Sequence, residues 1–326
     1  MTCRHTEESL RRRIVRTSAD WSCVGIRLID YLAGRFTYRD AEAWKEVIAA
    51  GEIMVNHRRA APEQILEMHD LIEYLPDELP EPEAELNYGT LFEDEDLLVV
   101  DKPGNLCMHP SGPFFRHTLW HLMCSRYGDI HFVNRLDRET SGALIAAKNR
   151  NAAAKLQKAG ARIVKTYLVL VHGEFAHEVD ATGFLVADTR SSVHKKRRFV
   201  TEPPADAANT ESCRTLLVPA GTPAPGFSLV EAKLFTGRMH QIRATMHSLG
   251  YPVVGDKLYG VDEKLYLKIR DDSFSEEDRV KLVLPRQALH SYRIEFDHPR
   301  TGERLNFTAP VPGIFTDLAG AGSGRP

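Results

Sequence analysis

The stretch "HFVNRLDRETSGALIAAKN" at residues 131–149 decides the fold, because a charged turn leads there into an apolar run. Asp137 stands two residues after Arg135 and directly before Arg138. Side chains alternate along an extended segment, so Arg135 and Asp137 point the same way. Neighbouring guanidinium charge lowers the pKa of a carboxyl group, which predicts an ionised Asp137 at the mouth of a buried strand. Such a carboxylate suits a nucleophile or an anion partner, and a structural ion pair is the alternative.

Composition restricts the class of protein. The 326 residues suffice for one large domain and a small one. The net charge of −3 means that any nucleic-acid binding must rest on local basic clusters. Five cysteines without C-x-x-C spacing argue against a disulfide framework or a structural zinc, and indicate a reducing compartment. No signal peptide or membrane-length apolar run is present, so we expect a cytoplasmic protein without a membrane partner.

The order of polar and apolar segments predicts two domains with flexible ends. The prediction is a flexible tail over 1–18, a small α/β domain over 19–75, an acidic proline-bearing linker over 76–88, a large domain over 89–313 and a flexible tail over 314–326. Within the small domain, helical spacing predicts two helices, the second over residues 40–50. A strand pair with a turn at Asn56 and His57 follows.

Four further stretches carry candidate chemistry. In "ARIVKTYLVLVHGEF" (161–175), Lys165 and Tyr167 share one face of a strand. In "FSLVEAKLFTGRMHQIRATMHSLGYPVVGDKLYG" (227–260), His240, Arg243 and His247 form a cationic helix face that could hold a carboxylate or phosphate. The two histidines are seven apart, unlike a helical zinc pair, so we expect no metal. "RQALHSYRIEFDHPRTGERLNFTAP" (286–310) predicts two strands, and "EDEDLLVVDKPGNLCMHPSG" a buried strand with a turn at 101–104.

Together these blocks resemble the RluA family of RNA pseudouridine synthases. "RLDRETSG", "KTY", "TGRMHQIR…GYPVVGDKLYG" and "LHSYRIEFDHP" stand in the family's order over roughly residues 86–311. The small domain ahead of them resembles an S4-type RNA-binding domain, with a merely docking domain as the alternative. The resemblance implies an α+β fold: a mixed, mainly antiparallel central sheet with flanking helices around an RNA cleft.

The resemblance also implies the reaction. Uridine in rRNA or tRNA would be flipped out and isomerised to pseudouridine, its base detached from N1 and reattached through C5, without cofactor or metal. Asp137 matches the family's catalytic aspartate, which acts either on the base or on the sugar. Tyr167 matches a tyrosine that stacks on the flipped base and is a candidate for removing the C5 proton. Arg243 matches the basic partner of the carboxylate.

The RNA contacts follow from the same resemblance and from local charge. Arg135 matches an arginine that fills the space left by the extruded base, and Ile242 would pack under the base. We expect further RNA contacts from basic side chains, namely Arg138, His240, Arg39, and Lys195, Lys196, Arg197 and Arg198 of the predicted basic loop "HKKRRF" (194–199). The default assembly is a monomer.

Three other functions compete. A non-catalytic S4-type RNA-binding or ribosome-assembly factor would lack the catalytic set, which is present here. His172-Gly173-Glu174 resembles a zinc deaminase motif, but the P-C-x-x-C partner is absent. A retaining glycosidase would need two adjacent carboxylates.

One departure from the family pattern concerns the RNA target. Family members in bacteria commonly have histidine where this chain has Asn134, and the pattern is more similar to a eukaryotic-type branch with tRNA-modifying members.

Overall fold

A computed structural model describes residues 13–36, 39–76, 81–204, 209–270 and 273–315. The chain divides into two compact units. One unit comprises Met1–Pro82 with Gly112–Phe115, and the other comprises Glu83–Ser111 with Arg116–Pro326.

The small unit is a four-stranded antiparallel sheet with two helices. Its elements are β1 Val15–Ser18, α1 Leu28–Arg35, α2 Ala41–Ala49, β2 Ile53–Val55, β3 Arg58–Arg59 and β4 Leu71–Tyr74, with strand order β1-β4-β2-β3. Asp40 caps α2 by accepting the Ala43 N–H, and the helices pack around the fully buried Trp44. The predicted second helix is confirmed.

The sheet of the small unit begins earlier than the sequence suggested. Val15–Ser18 pairs antiparallel with Leu71–Tyr74, so these residues belong to a strand and not to the flexible tail predicted for 1–18. Residues 1–12 of that predicted tail lie outside the described residues. At the other end of the chain, Phe315 is buried and ends a short 3-10 helix, Gly313–Phe315, although it falls within the tail predicted for 314–326. Residues 316–326 of that predicted tail lie outside the described residues.

The large unit is built on an eleven-stranded sheet. Its strands are β5 Gly89–Glu93, β6 Leu97–Lys102, β7 His131–Phe132, β8 Ser141–Ala147, β9 Val164–His172, β10 Val179–Ala187, β11 Arg197–Val200, β12 Glu211–Ala224, β13 Phe227–Leu234, β14 Leu289–Asp297 and β15 Arg304–Thr308. Its helices are α3 Leu119–Tyr127, α4 Arg150–Lys158, α5 Gln241–Ser248, α6 Lys264–Arg270 and α7 Glu276–Leu282.

The strand order is β11-β10-β12-β13-β9-β14-β8-β6-β5, with β15 on β14 and β7 on β8. Among the described strands only β8 and β14 run parallel, which confirms the predicted mixed, mainly antiparallel sheet with flanking helices. Two local predictions were wrong. Asp101 and Lys102 end β6 instead of starting a turn, and Arg197–Val200 is an edge strand instead of a loop.

The parallel pair β8–β14 depends on a glycine. Gly142 lies opposite Ser291 with φ +109°, and a Cβ there would come within 2.3 Å of the Ser291 carbonyl oxygen. No other residue tolerates both the conformation and the approach. Side chains reinforce the junction, because Ser291 Oγ donates to Ala143 O at 2.8 Å and Ser141 Oγ bonds His290 Nδ1 at 2.9 Å. The triplet Thr140-Ser141-Gly142 therefore anchors the end of the Asp137 turn to β14, near the centre of the sheet.

In the described part of the chain, none of the helices combines the length and the apolar composition needed to cross a membrane.

Candidate active site

Asp137 lies in the turn between β7 and β8. Its carbonyl oxygen accepts the Thr140 N–H at 3.1 Å, which folds the turn back toward β8. Its side chain is about one-third exposed, at 34%, and so can be reached from solvent while standing against the sheet. The turn thus presents the Asp137 carboxylate at the mouth of the buried strand β8, as the sequence predicted.

Arg243 on α5 meets this carboxylate. Its Nη1 donates to Asp137 Oδ2 at 2.6 Å. The remaining donors of the guanidinium are held from behind, because Nε and Nη2 donate to the two carboxylate oxygens of Asp256 at 2.6 and 2.8 Å. Asp256 is fully buried, and its Oδ1 also accepts the backbone N–H groups of Leu258 and Tyr259 at 2.9 Å each. Arg243 is therefore fixed in one orientation before any substrate arrives.

The positive charge of Arg243 determines the protonation state of Asp137. Burial raises the pKa of the Asp137 carboxyl, but the charge and hydrogen bond of Arg243 outweigh burial and leave the pKa below its ordinary value. The same balance lowers the pKa of Asp256. Burial opposes the charge on Arg243, yet the two carboxylates raise its pKa. Asp137 is ionised at neutral pH, with its Oδ1 left without a hydrogen-bond donor among the described residues.

Tyr167 stands beside this carboxylate on β9. It is buried, with 6% of its surface exposed, and it stands opposite Ser291 of β14. Burial, together with the nearby charge of Asp137, raises the pKa of Tyr167 to about 12. The residue is therefore a neutral phenol at physiological pH. It can stack and donate a hydrogen bond there, but it is a poor proton acceptor.

A second set of contacts holds the Asp137 turn in place. The fully buried Lys102 ammonium donates to three carbonyl oxygens, those of Pro103, Leu106 and Arg138, at 2.7, 2.9 and 3.1 Å. Burial lowers the pKa of Lys102 to about 7. On the other side of the turn, Glu139 accepts from Lys257 Nζ at 2.6 Å.

Comparisons with known proteins show the family of this chain. The family model "RNA pseudouridylate synthase" matches residues 96–248. The Bacillus subtilis (strain 168) protein "Uncharacterized RNA pseudouridine synthase YhcT" is 33% identical over 281 residues, which cover 82% of this chain and 84% of that protein. The chain belongs to the RNA pseudouridine synthase family.

Other relatives extend the match. "Ribosomal large subunit pseudouridine synthase C" of Pasteurella multocida is 29% identical over 313 residues, covering 91% of this chain and 90% of that protein. The solved structure of human RNA pseudouridylate synthase domain containing 1 superimposes with a TM-score of 0.56 and 26% identity over 73% of this chain and 89% of that chain. The protein is an RNA pseudouridine synthase, an isomerase, and the catalytic function is favoured over the non-catalytic alternative.

The predicted RNA-contact residues differ in their location and exposure. Arg135 and Arg138 are exposed beside Asp137, and Ile242 is buried next to Arg243. Arg39 belongs to the small unit, where its guanidinium lies 5.7 Å from the centre of the Trp44 ring.

The cationic helix face is reduced to one charge. His240 precedes α5 in the left-handed conformation (φ 57°) and bonds the Tyr259 hydroxyl at 3.0 Å. Burial, with the nearby Arg243 charge, lowers the pKa of His240 to about 4. Burial also lowers the pKa of His247. The predicted face does hold a carboxylate, that of Asp137, but Arg243 alone supplies the positive charge, because both histidines are neutral at physiological pH.

The basic cluster at 194–199 also differs from expectation. Lys196 is buried and pairs with Glu263 at 2.7 Å. Arg197 pairs with Glu211 at 2.8 Å. Internal ion pairs therefore use these two charges, which leaves Lys195 and Arg198 as the cations of the cluster that carry no ion pair among the described residues. Lys195 is exposed, with its Nζ 4.5 Å from the centre of the Tyr266 ring.

Sequence reasoning missed three residues of the site. Asp256 and Tyr259 stand in "GDKLYG", which carried the family resemblance, but nothing in the spacing connected them to Arg243. In the structure the Tyr259 ring lies 4.9 Å from the Arg243 guanidinium, and its hydroxyl accepts the Arg197 N–H at 2.9 Å. Lys102 was assigned to a turn, so its burial went unpredicted. Asn134, the departure from the family pattern, accepts the Ile145 N–H at 2.9 Å and so ties the start of the turn to β8.

Proposed function

We propose that this synthase isomerises uridine in the RNA of the large ribosomal subunit, with Asp137 as its catalytic carboxylate. The observation that carries the proposal is the pairing of a partly exposed, ionised Asp137 with a buried Arg243 that Asp256 fixes. The ribosomal target is supported by relatives named as large-subunit pseudouridine synthases C and D, which match most of this chain.

In the proposed reaction, Arg243 holds Oδ2 of Asp137, and the opposite oxygen acts on the flipped nucleoside. The bond between N1 and C1′ breaks, the base turns, and a bond between C5 and C1′ replaces it. The C5 proton leaves and N1 ends protonated, so atoms and electrons balance without an oxidant or reductant. For this reason we propose that the reaction needs no cofactor or metal.

Tyr167 would stack on the flipped base and orient it. Its raised pKa favours this role over that of the base that removes the C5 proton. Flipping costs a few kcal/mol of unstacking, and contacts that occupy the vacated space offset that cost. The exposed Arg135 beside Asp137 is our candidate for this insertion, with Ile242 packing beneath the base.

Phosphate contacts are proposed for Arg138, Lys195 and Arg198, whose positive charge would hold the RNA backbone. His240 would contact RNA as a neutral group. We propose that the small unit is an S4-like RNA-binding domain. We also propose that the whole protein is a monomer and acts in the cytoplasm. Its support is the predicted helix pair and the exposed arginine pair of β3.

The small unit can be tested with the double variant Arg58→Glu and Arg59→Glu. If the unit binds RNA, the variant raises the Kd for RNA at least tenfold while kcat at saturating RNA changes little. A matched double variant, Glu42→Gln and Glu46→Gln on α2, should leave the Kd near wild type. Unchanged affinity in the arginine variant would show that the unit does something else.

The main experiment is tritium release from RNA labelled at uracil C5, using rRNA and tRNA from cells that lack this gene. We expect release by the wild type from large-subunit rRNA and none by Asp137→Asn. The control is Asp180→Asn, which alters another aspartate paired with an arginine, Arg214, at 2.7 Å on the outer strands. This control should keep wild-type release. Release from tRNA alone would move the target to tRNA, and no release despite tight binding would leave an RNA-binding factor.

A further inference from the structure

Lys165 is a half-buried cation that the proposed chemistry does not use. It lies on β9, where Leu234 of β13 and Ile294 of β14 are its neighbours across the ladders. Both neighbours are buried hydrophobic residues. Among the described residues no carboxylate or carbonyl lies within bonding distance of its ammonium. Burial lowers the pKa of Lys165, and no negative group compensates for it.

The position of Lys165 connects it to the active site. Side chains alternate along a strand, so Lys165 and Tyr167 project from the same face of β9, roughly 7 Å apart along the strand. The Lys165 ammonium also lies under the loop that precedes α5. A Cβ added to Gly237 in that loop would come within 3.3 Å of Lys165 Nζ. The ammonium therefore sits between the tyrosine of the site and the segment that carries Arg243.

An unpaired, partly buried charge costs stability, and a protein gains nothing from it in the folded state alone. A bound anion would supply the missing partner. In a site that binds RNA, the anion that accompanies every nucleotide is its phosphate. The ammonium group of lysine is a compact positive charge with three N–H donors, so it can bind the oxygens of one phosphate group.

We infer that Lys165 is a phosphate-binding residue that anchors the RNA backbone at the flipped uridine, with Gly237 leaving room for the phosphate to approach it. The inference rests on the proposed function, because it assumes that RNA enters this cleft. It assigns Lys165 to substrate binding and not to the bond-breaking steps, which remain with Asp137.

The test measures the Kd for the large-subunit rRNA substrate at several salt concentrations, in the inert Asp137→Asn background so that turnover does not interfere. Lys165→Met should raise the Kd about tenfold and reduce the slope of log K against log salt by about 0.7, the value for one phosphate on a single strand. Lys165→Arg should keep a Kd and a salt slope close to those of the protein with Lys165. The matched control is Lys233→Met, since Lys233 pairs with Thr166 on the neighbouring strand and so projects from the opposite face.

Two further variants keep the result interpretable. Gly237→Ala places a methyl group against the ammonium and should raise the Kd several-fold with the lysine intact. The melting temperature of Lys165→Met should equal or exceed that of the wild type, because an unpaired charge is removed. A wild-type Kd and salt slope in Lys165→Met, or a marked loss of its stability, would overturn the inference. The proposed function fails separately, if wild-type enzyme releases no tritium.

Discussion

Asp256 binds the guanidinium of Arg243 through both of its oxygens, at 2.6 and 2.8 Å, in a fully buried position. This leaves a single donor, Nη1, to face the carboxylate of Asp137. The direction of the Arg243 side chain is thus decided by a residue that need not touch the substrate.

Asp256→Asn should therefore slow the reaction indirectly, through Arg243. Asparagine keeps one acceptor but loses the charge and the second acceptor, so Arg243 is no longer held on both sides. We expect kcat to fall about 100-fold, as for other small misplacements of a catalytic group, and the free energy of unfolding to fall by about 3 kcal/mol. Single-turnover tritium release and urea unfolding measure the two effects. Wild-type values for both would mean that Arg243 is oriented by other contacts.

The lowered pKa of Asp137 predicts a dependence of stability on pH. A group whose pKa falls on folding contributes stability that is present above its ordinary pKa of 3.8 and is lost as the pH drops through the folded-state value. The difference in unfolding free energy between wild type and Asp137→Asn should be constant from about pH 5 to 7 and shrink below about pH 4. Urea titrations across this range measure it. A difference that grows on acidification would show that burial, and not Arg243, dominates the environment of Asp137.

Tyr167→Phe separates binding from turnover. The phenylalanine ring can still stack, but the hydroxyl that could bond to the base is lost. We expect the Kd for RNA to stay unchanged and kcat to fall about tenfold, because the base is held less precisely. Ser291→Ala is the matched variant, because it changes the residue opposite Tyr167 on β14 and keeps the phenol. A smaller loss in Ser291→Ala than in Tyr167→Phe would assign the effect to the hydroxyl itself, whereas a wild-type rate in Tyr167→Phe would leave stacking as the whole role of the residue.

Gly142→Ala tests the seat of the Asp137 turn. The added methyl group would lie 2.3 Å from the Ser291 carbonyl oxygen, at a φ of +109° that side chains rarely adopt. The strain and the displaced strand should lower the unfolding free energy by about 3 kcal/mol or more. Gly160→Ala is the control, since its Cβ would meet nothing within 4 Å. Thermal melting compares them, and equal melting temperatures would mean that β8 and β14 adjust without cost.

The sequence predicted best what depends on neighbours in the chain. The helix that carries Arg243, its end near Gly250, and the strand of Tyr167 follow from short periodic patterns, and the structure confirms them. The approach of Asp137 to Arg243, 106 residues away, was available only through the family resemblance. Burial was the least readable property, because "DKPG" and "HKKRRF" have the composition of exposed turns. Lys102 and Lys196 nevertheless lie inside, each with oxygen partners that the chain brings from elsewhere.

The placement of β14 has a consequence for biosynthesis. Within the described residues, β14 is the strand that joins β9 to β8, and hence the Tyr167 side of the sheet to the Asp137 side. Until Leu289–Asp297 has left the ribosome, a nascent chain holds two half-sheets with unpaired edges. Tyr167 and the Asp137 turn then have nothing between them. A growing or prematurely terminated chain therefore lacks the assembled site that the reaction needs.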